Sequence, residues 1–173
     1  MTPRDKARQV KIAVFDVDGV MTDGRLYYTS HGDEIKAFNV KDGLGIKLLQ
    51  KFGIKTAIIT GRNSELVNRR ARELGFDYLY QGREDKITAL NELLKDTGMS
   101  LDQVGYIGDD LPDLAAIRQS AFGATVNDAS ALVLENADWI STRRGGEGAV
   151  REFCEFILDA QGHLSDYHNS CMN

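Results

Sequence analysis

The chain lacks most features that mark secreted, membrane or nucleic-acid-binding proteins. Only two of its 173 residues are cysteine, Cys154 and Cys171, and neither lies in a CxxC pair, which argues against a disulfide framework. No apolar run approaches the roughly 20 residues of a membrane span, and Met1–Lys11 has no apolar core of a secretory signal. The net charge of −5 argues against nucleic acid as a partner. We therefore expect a cytoplasmic protein.

What the chain does contain is a regular alternation of short apolar runs and longer segments with helical spacing. Six runs predict strands, and they are Ile12–Phe15, Lys55–Thr60, Tyr78–Tyr80, Val104–Ile107, Phe122–Val126 and Trp139–Ile140. The segments between them predict helices, one near Leu44–Lys51 and one after Ser64. This alternation predicts an α/β fold, a Rossmann-like doubly wound parallel sheet, as one domain over residues 1–173. Ligands of such sheets bind beyond the carboxyl ends of the strands.

Two segments depart from the alternation. Arg25–Thr29 and Glu34–Val40 are strand-like and flank a short polar turn, which predicts a β-hairpin at about 25–40. Because this hairpin directly follows the first strand, we expect it to form a flap over the end of that strand, with no separate cap domain. The last residues, about 162–173, are polar and predict a mobile tail.

Acidic residues follow two of the predicted strands. Asp16 and Asp18 follow the first strand, and Asp109, Asp110 and Asp113 follow the fourth. Taken separately, these acids fit a strand-to-turn junction and a helix N-terminus, where the helix dipole favours aspartate. Together they place an acidic rim on one edge of the sheet, and such a cluster of oxygen ligands suits Mg²⁺.

Two weaker motifs lie between the acidic ones. Thr60-Gly61-Arg62 follows the second strand and offers a hydroxyl, a flexible backbone and a guanidinium to an anion. Lys86 lies early in a predicted helix, where a lone lysine is usually a solvated surface residue. The order of the four motifs along the chain is far more specific than any one of them.

The four motifs in this order resemble the haloacid dehalogenase superfamily of phosphatases, over residues from about Lys11 to about Gln161. The resemblance implies that Asp16 is the nucleophile, that Asp18 is the general acid and base, and that Thr60 and Lys86 bind the phosphoryl oxygens. It implies that Mg²⁺ is held by Asp16, by the main-chain carbonyl of Asp18 and by Asp109. Asp110 and Asp113 would lie behind these groups and orient Mg²⁺ waters or the lysine.

Further motifs resemble one branch of that superfamily, the 3-deoxy-D-manno-octulosonate 8-phosphate (KDO 8-phosphate) phosphatases. They are the segment FNVKDGLGIK at 38–47, the segment RGGEGAVRE at 144–152, the hairpin and the small size. Members of this branch form tetramers in which a neighbour helps to cap each active site, so the resemblance implies a homotetramer. It also implies a role in lipopolysaccharide precursor synthesis and a small phosphorylated sugar acid as substrate. The residues that would contact it are Asp18, Asn39, Val40, Lys41, Asp42, Gly43, Lys47, Arg62, Arg70 and Lys86.

Two alternatives remain open from the sequence. The substrate could be a nine-carbon ulosonate 9-phosphate, although relatives acting on such substrates carry an acid in place of Arg62. The domain could instead be a non-catalytic regulatory or assembly module of the same fold. The presence of Asp16, Asp18, Thr60, Lys86 and Asp109 argues against loss of catalysis.

Overall fold

The computed structural model describes residues Met1–Asn173 and contains a six-stranded parallel sheet. The strands are β1 (Ile12–Phe15), β4 (Lys55–Ile59), β5 (Tyr78–Tyr80), β6 (Val104–Gly108), β7 (Phe122–Thr125) and β8 (Trp139–Ile140). Their order in the sheet is β5-β4-β1-β6-β7-β8, so the first strand of the sequence lies at the centre of the sheet. This order confirms the predicted α/β fold with a parallel sheet.

Helices cover both faces of the sheet, because successive residues of each strand point to opposite faces. Ala13 and Phe15 of β1 belong to one apolar cluster, and Ile12 and Val14 belong to the other. The helices are α1 (Pro3–Ala7), α2 (Val40–Lys51), α3 (Glu65–Leu74), α4 (Lys86–Thr97), α5 (Leu114–Gln119), α6 (Ala131–Asn136), α7 (Ala149–Ala160) and α8 (Leu164–Met172), with 3₁₀ turns at Leu101–Gln103 and Leu111–Asp113. None of these helices has the length and apolar character that crossing a bilayer requires.

The predicted hairpin is present, but its antiparallel ladder is short. β2 (Tyr27–Tyr28) pairs with β3 (Glu34–Ile35), and both strands are mostly exposed. The chain leaves the ladder after Ile35, and the side chain of Lys36 is only 4% exposed. At Asn39 the side chain accepts a hydrogen bond from the amide of Lys41, so α2 begins at Val40 rather than near Leu44.

The C-terminal residues form a helix, where the polar sequence predicted a mobile tail. α8 (Leu164–Met172) packs on the core through Leu164 and Tyr167. The ring of Tyr167 lies 5.2 Å from the Lys51 ammonium, which is a cation–π distance. His163, at the start of α8, stacks on Phe52 with ring centroids 4.7 Å apart. These partners come from α2 and its end, so the polar composition of the segment alone gave no sign of them.

Candidate active site

The parallel sheet brings three predicted site residues to one edge. β1 pairs with β4 on one side and with β6 on the other. Asp16 follows β1, Thr60 follows β4 and Asp109 follows β6. Because the strands are parallel, their carboxyl ends meet, and the three side chains line one pocket.

Asp16 is a buried carboxylate, only 5% exposed, and its main partner is a buried lysine. The Lys86 ammonium lies 2.6 Å from Asp16 Oδ1 and 2.7 Å from Asp113 Oδ1. Burial by itself lowers the pKa of Lys86, but the charges and hydrogen bonds of Asp16 and Asp113 outweigh it, so the pKa is raised. Lys86 therefore remains an ammonium ion beside Asp16. The pairing supports a role beyond that of a solvated surface lysine.

Asp113 holds Lys86 in place and has no oxygen left for another partner. Its Oδ1 also accepts from the Tyr106 hydroxyl at 2.8 Å. Its Oδ2 accepts from the backbone amides of Asp109 at 3.1 Å and Asp110 at 3.3 Å. A carboxylate with four hydrogen-bond donors around it is saturated. Asp113 thus holds the Lys86 ammonium and the backbone amides at the start of the loop after β6.

Asp16 and Asp109 form the part of the site that fits a divalent cation. Burial and the neighbouring charge of Asp113 raise the pKa of Asp16 to about 7, although Lys86 opposes this rise. Burial and the charges of Asp16 and Asp113 raise the pKa of Asp109 to about 8. Single oxygens of the three carboxylates lie within 4.8 Å of one another. Because Asp113 is saturated, Asp16 and Asp109 are the carboxylates available to Mg²⁺.

Gly19 leaves the space that Asp109 occupies. Its φ is +93°, and a Cβ built there would lie 2.0 Å from Asp109 Oδ2. The loop after β1 therefore approaches the loop after β6 more closely than any side chain would allow. This contact sets the distance between the two carboxylates that fit the metal.

The pocket around these residues has a volume of about 380 Å³ and is strongly polar. It is lined by six carboxylates and two cations, and its apolar side chains are those of Leu26 and Pro112. The lining residues are Asp16, Asp18, Gly24, Leu26, Thr60, Gly61, Arg62, Glu84, Lys86, Asp109, Asp110, Pro112 and Asp113. This excess of carboxylates would repel an anionic substrate unless a cation were bound there too.

Arg62 and Asp18 lie in the same pocket and are joined through the hairpin. The Arg62 guanidinium lies 3.2 Å from Glu34 Oε1, and the Lys36 ammonium lies 3.2 Å from the same oxygen. Lys36 also lies 2.5 Å from Asp18 Oδ1. A carboxylate of the hairpin thus already pairs with the Arg62 guanidinium, which was predicted to contact the substrate.

The other predicted substrate residues do not line the Asp16 pocket of the same chain. Asn39, Val40 and Lys41 border a separate groove of about 400 Å³ with residues of α7 and its preceding loop. Lys47 is exposed on α2. The Arg70 guanidinium lies 5.7 Å from the Phe38 ring centroid, in a third groove.

Asp42 and Gly43 are buried inside the subunit. Asp42 is 2% exposed, its Oδ1 accepts from the Arg151 amide at 2.9 Å, and its Oδ2 has no hydrogen-bond partner. A Cβ at Gly43 would lie 2.6 Å from Arg70 Nη2. Within one chain, both residues therefore contribute to the packing of α2 rather than to the pocket.

Two features of the site were not found by sequence reasoning. One is Lys36, whose place in an alternating strand pattern predicted only a hairpin residue. The other is the close packing of Gly145, where a Cβ would lie 1.8 Å from the carbonyl oxygen of Gly19. The glycine-rich run at 144–148 was a signal for such packing, since glycines often mark close backbone approaches.

A family model described as haloacid dehalogenase-like hydrolase matches residues 79–153. The 3-deoxy-D-manno-octulosonate 8-phosphate phosphatase of Yersinia pestis is 46% identical over 92% of this chain and 85% of its own length. The chain belongs to the haloacid dehalogenase superfamily, in the branch of the KDO 8-phosphate phosphatases.

Other members of this phosphatase family agree with that assignment. The phosphatase of the same name from Escherichia coli K12 is 42% identical over 93% of this chain and 86% of its own length. The crystal structure of the Moraxella catarrhalis phosphatase is 47% identical, with a TM-score of 0.95 and 97% coverage of each chain. That structure is a complex with magnesium ion, phosphate ion and a KDO molecule.

Proposed function

We propose that the protein hydrolyses KDO 8-phosphate to KDO and inorganic phosphate, with Asp16 as the nucleophile. The observation that carries this proposal is the buried Asp16 carboxylate between Lys86 and Asp109, at the carboxyl end of the central strand. Its relatives of 42–46% identity are named for this activity. The geometry of the site thus supports the phosphatase chemistry, and sequence similarity to the named relatives supports the substrate.

In the first half of the reaction, an Asp16 oxygen attacks phosphorus and the bond from phosphorus to the bridging ester oxygen breaks. Asp18 lies two residues further along the chain and lines the same pocket, so it is placed to give a proton to the departing oxygen. Lys86 stays protonated beside Asp16 and offsets the charge that the phosphoryl oxygens bring. The products of this half are the free sugar acid and a phosphorylated Asp16.

In the second half, water attacks the phosphorus of phosphorylated Asp16 and the bond from phosphorus to Asp16 breaks. Asp18 accepts the proton of that water and returns to its starting state. Thr60, 1% exposed and in the pocket wall, is placed to hydrogen-bond a phosphoryl oxygen through its hydroxyl. Splitting one displacement into two lowers the barrier that either step must cross.

We propose that Mg²⁺ binds to the carboxylates of Asp16 and Asp109 and to the main-chain carbonyl of Asp18. When bound, it offsets the repulsion between these acids and the phosphate and orients the phosphoryl group. The raised pKa values of Asp16 and Asp109 support this placement, because they show how poorly the site tolerates its own negative charge without a cation.

The substrate also carries a carboxylate, and we propose that Arg62 binds it in this pocket. A guanidinium fork matches a carboxylate in two hydrogen bonds, which a lysine does not. The pairing of Arg62 with Glu34 in the structure supports this role, since a carboxylate already lies there. The substrate would then displace Glu34 from the guanidinium.

We further propose a homotetramer in which Asn39, Val40, Lys41, Lys47 and Arg70 serve a neighbour's active site. They lie outside the Asp16 pocket of their own chain, and all five are partly or fully exposed. The hairpin also carries exposed Leu26, Tyr28 and Ile35, an apolar surface that suits a second copy. Lipopolysaccharide precursor synthesis in the cytoplasm is the role that this substrate implies.

The test is phosphate release from KDO 8-phosphate by wild type and Asp16→Asn, with Mg²⁺ and with EDTA. Wild type should release phosphate only with Mg²⁺, and Asp16→Asn should lose turnover by several orders of magnitude. Asp96→Asn, an exposed acid on α4, is the matched control and should keep wild-type turnover. Wild-type turnover in Asp16→Asn would disprove covalent catalysis at this residue. A higher kcat/KM for a nine-carbon ulosonate 9-phosphate would reverse the choice of substrate.

A further inference from the structure

Lys36 is a buried lysine that the mechanism above does not use. Its side chain is 4% exposed, although it leaves the backbone in the exposed hairpin segment just after β3. Burying an ammonium is costly unless carboxylates pair with it. Lys36 has two such partners, at 2.5 Å from Asp18 Oδ1 and 3.2 Å from Glu34 Oε1. Its position is therefore determined by the acids of the site.

Lys36 does not line the pocket that holds Asp16, so it reaches that pocket only through another side chain. The side chain it contacts there is Asp18, which does line the pocket and is 25% exposed. Of the two Asp18 oxygens, Oδ1 accepts from Lys36, whereas Oδ2 has no hydrogen-bond partner within the chain. The ammonium thus fixes one oxygen and leaves the other for a group in the pocket.

We propose that Lys36 is a positioning residue that holds the Asp18 carboxyl group in the orientation for proton transfer to the ester oxygen. This inference rests on the proposed phosphatase mechanism. As the phosphorus–oxygen bond of the ester breaks and the Asp16–phosphorus bond forms, the proton moves from Asp18 to the bridging oxygen. When water later attacks phosphorus, Asp18 takes a proton back. A freely rotating carboxyl group would spend less time aligned with either oxygen.

Glu34 belongs to the support of Lys36 rather than to the transfer itself. Its Oε1 lies 3.2 Å from both Lys36 and Arg62, and Glu34 does not line the pocket. Removing the Glu34 charge therefore loosens the hairpin end of Lys36 but leaves its contact with Asp18. A comparison of changes at the two residues separates positioning of Asp18 from general support of the hairpin.

The experiment uses two Mg²⁺-dependent substrates that differ in their need for an acid. KDO 8-phosphate has an alkoxide leaving group that requires protonation, whereas p-nitrophenyl phosphate has a phenolate that departs without it. Lys36→Met keeps the apolar stem and removes the ammonium. We expect it to lower the rate constant of leaving-group release in a single turnover by about 10²-fold on KDO 8-phosphate, near the lower end of the contribution of a general acid, and by less than about threefold on p-nitrophenyl phosphate. This measurement excludes the hydrolysis of phosphorylated Asp16, which is common to both substrates. Glu34→Gln should keep the wild-type ratio of the two rate constants.

An equal loss on both substrates, or no loss on either, would overturn the proposal. The same would follow if Glu34→Gln reproduced the selective loss of Lys36→Met, because support of the hairpin would then explain it. Lys36→Arg keeps the charge and the fold but moves the hydrogen-bond donor, so its selective loss of activity on KDO 8-phosphate should be smaller. This variant also tests the proposal if Lys36→Met does not fold. If wild type cleaves p-nitrophenyl phosphate and some alkyl phosphates but does not cleave KDO 8-phosphate, the proposed substrate is wrong. The comparison of leaving groups then still tests Lys36.

Discussion

The buried carboxylate of Asp42 gives a prediction whose size follows from the structure. Asp42 lies in the first turn of α2, and one of its oxygens has no hydrogen-bond partner. Burial raises its pKa to about 6, although the amide and charge of Arg151 and the charge of Arg70 oppose the rise. We therefore expect Asp42→Asn to change how the stability of the fold depends on pH.

The size of the effect comes from the difference between the folded pKa of about 6 and the ordinary value of 3.8. At 1.36 kcal/mol per pH unit, ionised Asp42 costs the folded state about 3 kcal/mol at pH 7.5. Because the folded pKa is raised, this cost is complete above pH 6 and disappears as the pH falls toward 3.8. Asparagine does not titrate. The free energy of unfolding of wild type should therefore rise by about 1.4 kcal/mol relative to that of the variant as the pH falls from 7.5 to 5.

The assay is urea unfolding of both chains at several pH values, followed by circular dichroism. Comparing two chains in the same buffer cancels the titration of Asp16 and Asp109, which is common to both. Asp159→Asn changes a half-exposed acid on α7 beside Arg4 and is the control, because Asp159 has no comparable burial cost to relieve. A stability difference between wild type and Asp42→Asn that stays constant from pH 7.5 to pH 5, or that grows in favour of the variant, would refute the reasoning.

Two further predictions concern the metal site and the loop that supports it. Without Mg²⁺, Asp109→Asn should melt at a higher temperature than wild type, because it removes a carboxylate whose pKa is raised to about 8 by burial and by nearby acids. In the same thermal melt, adding Mg²⁺ should stabilise wild type far more than this variant. Gly145→Ala and Gly123→Ala each place a Cβ against a backbone carbonyl, that of Gly19 at 1.8 Å and that of Ile117 at 2.2 Å. In urea unfolding, the free energy of unfolding of both variants should fall by roughly 1–3 kcal/mol. Only Gly145→Ala should lower phosphate release per folded molecule. Equal activity in the two variants would contradict a role for the loop contact.

The sheet and its acidic edge were predictable because they depend on short-range patterns and one general rule. Ile12–Phe15 and Val104–Ile107 are apolar enough to be recognised as buried strands. The rule that parallel strands end at the same edge then places Asp16 near Asp109 without any knowledge of tertiary contacts. The position of Lys86 between two carboxylates needed the resemblance as well, because an isolated lysine early in a helix has no distinguishing pattern.

The hairpin and the C-terminal helix were harder to predict, since the residues they contact are distant in the sequence. The alternation at Arg25–Thr29 indicates a strand, yet only Tyr27–Tyr28 form a ladder, because the exposed side chains find no core within one subunit. α8 depends on contacts with Lys51 and Phe52. The contact between Lys36 and Asp18 depends on the path of the backbone after β3, which strand periodicity does not describe.

The saturated carboxylate of Asp113 divides the pocket into a rigid half and an adaptable half. Lys86 is held by Asp113, whose oxygens already accept their full set of hydrogen bonds. The part of the pocket around Lys86 therefore cannot adjust to different phosphate esters. Arg62, by contrast, is 45% exposed and held by a single hairpin acid. If Arg62 binds the substrate carboxylate as proposed, a change at Arg62 would therefore redirect the enzyme to another phosphate ester while leaving Asp16 and Lys86 in place. In this architecture the substrate preference of such enzymes can change during evolution without loss of catalysis, because selection on substrate choice and selection on catalysis act on different residues.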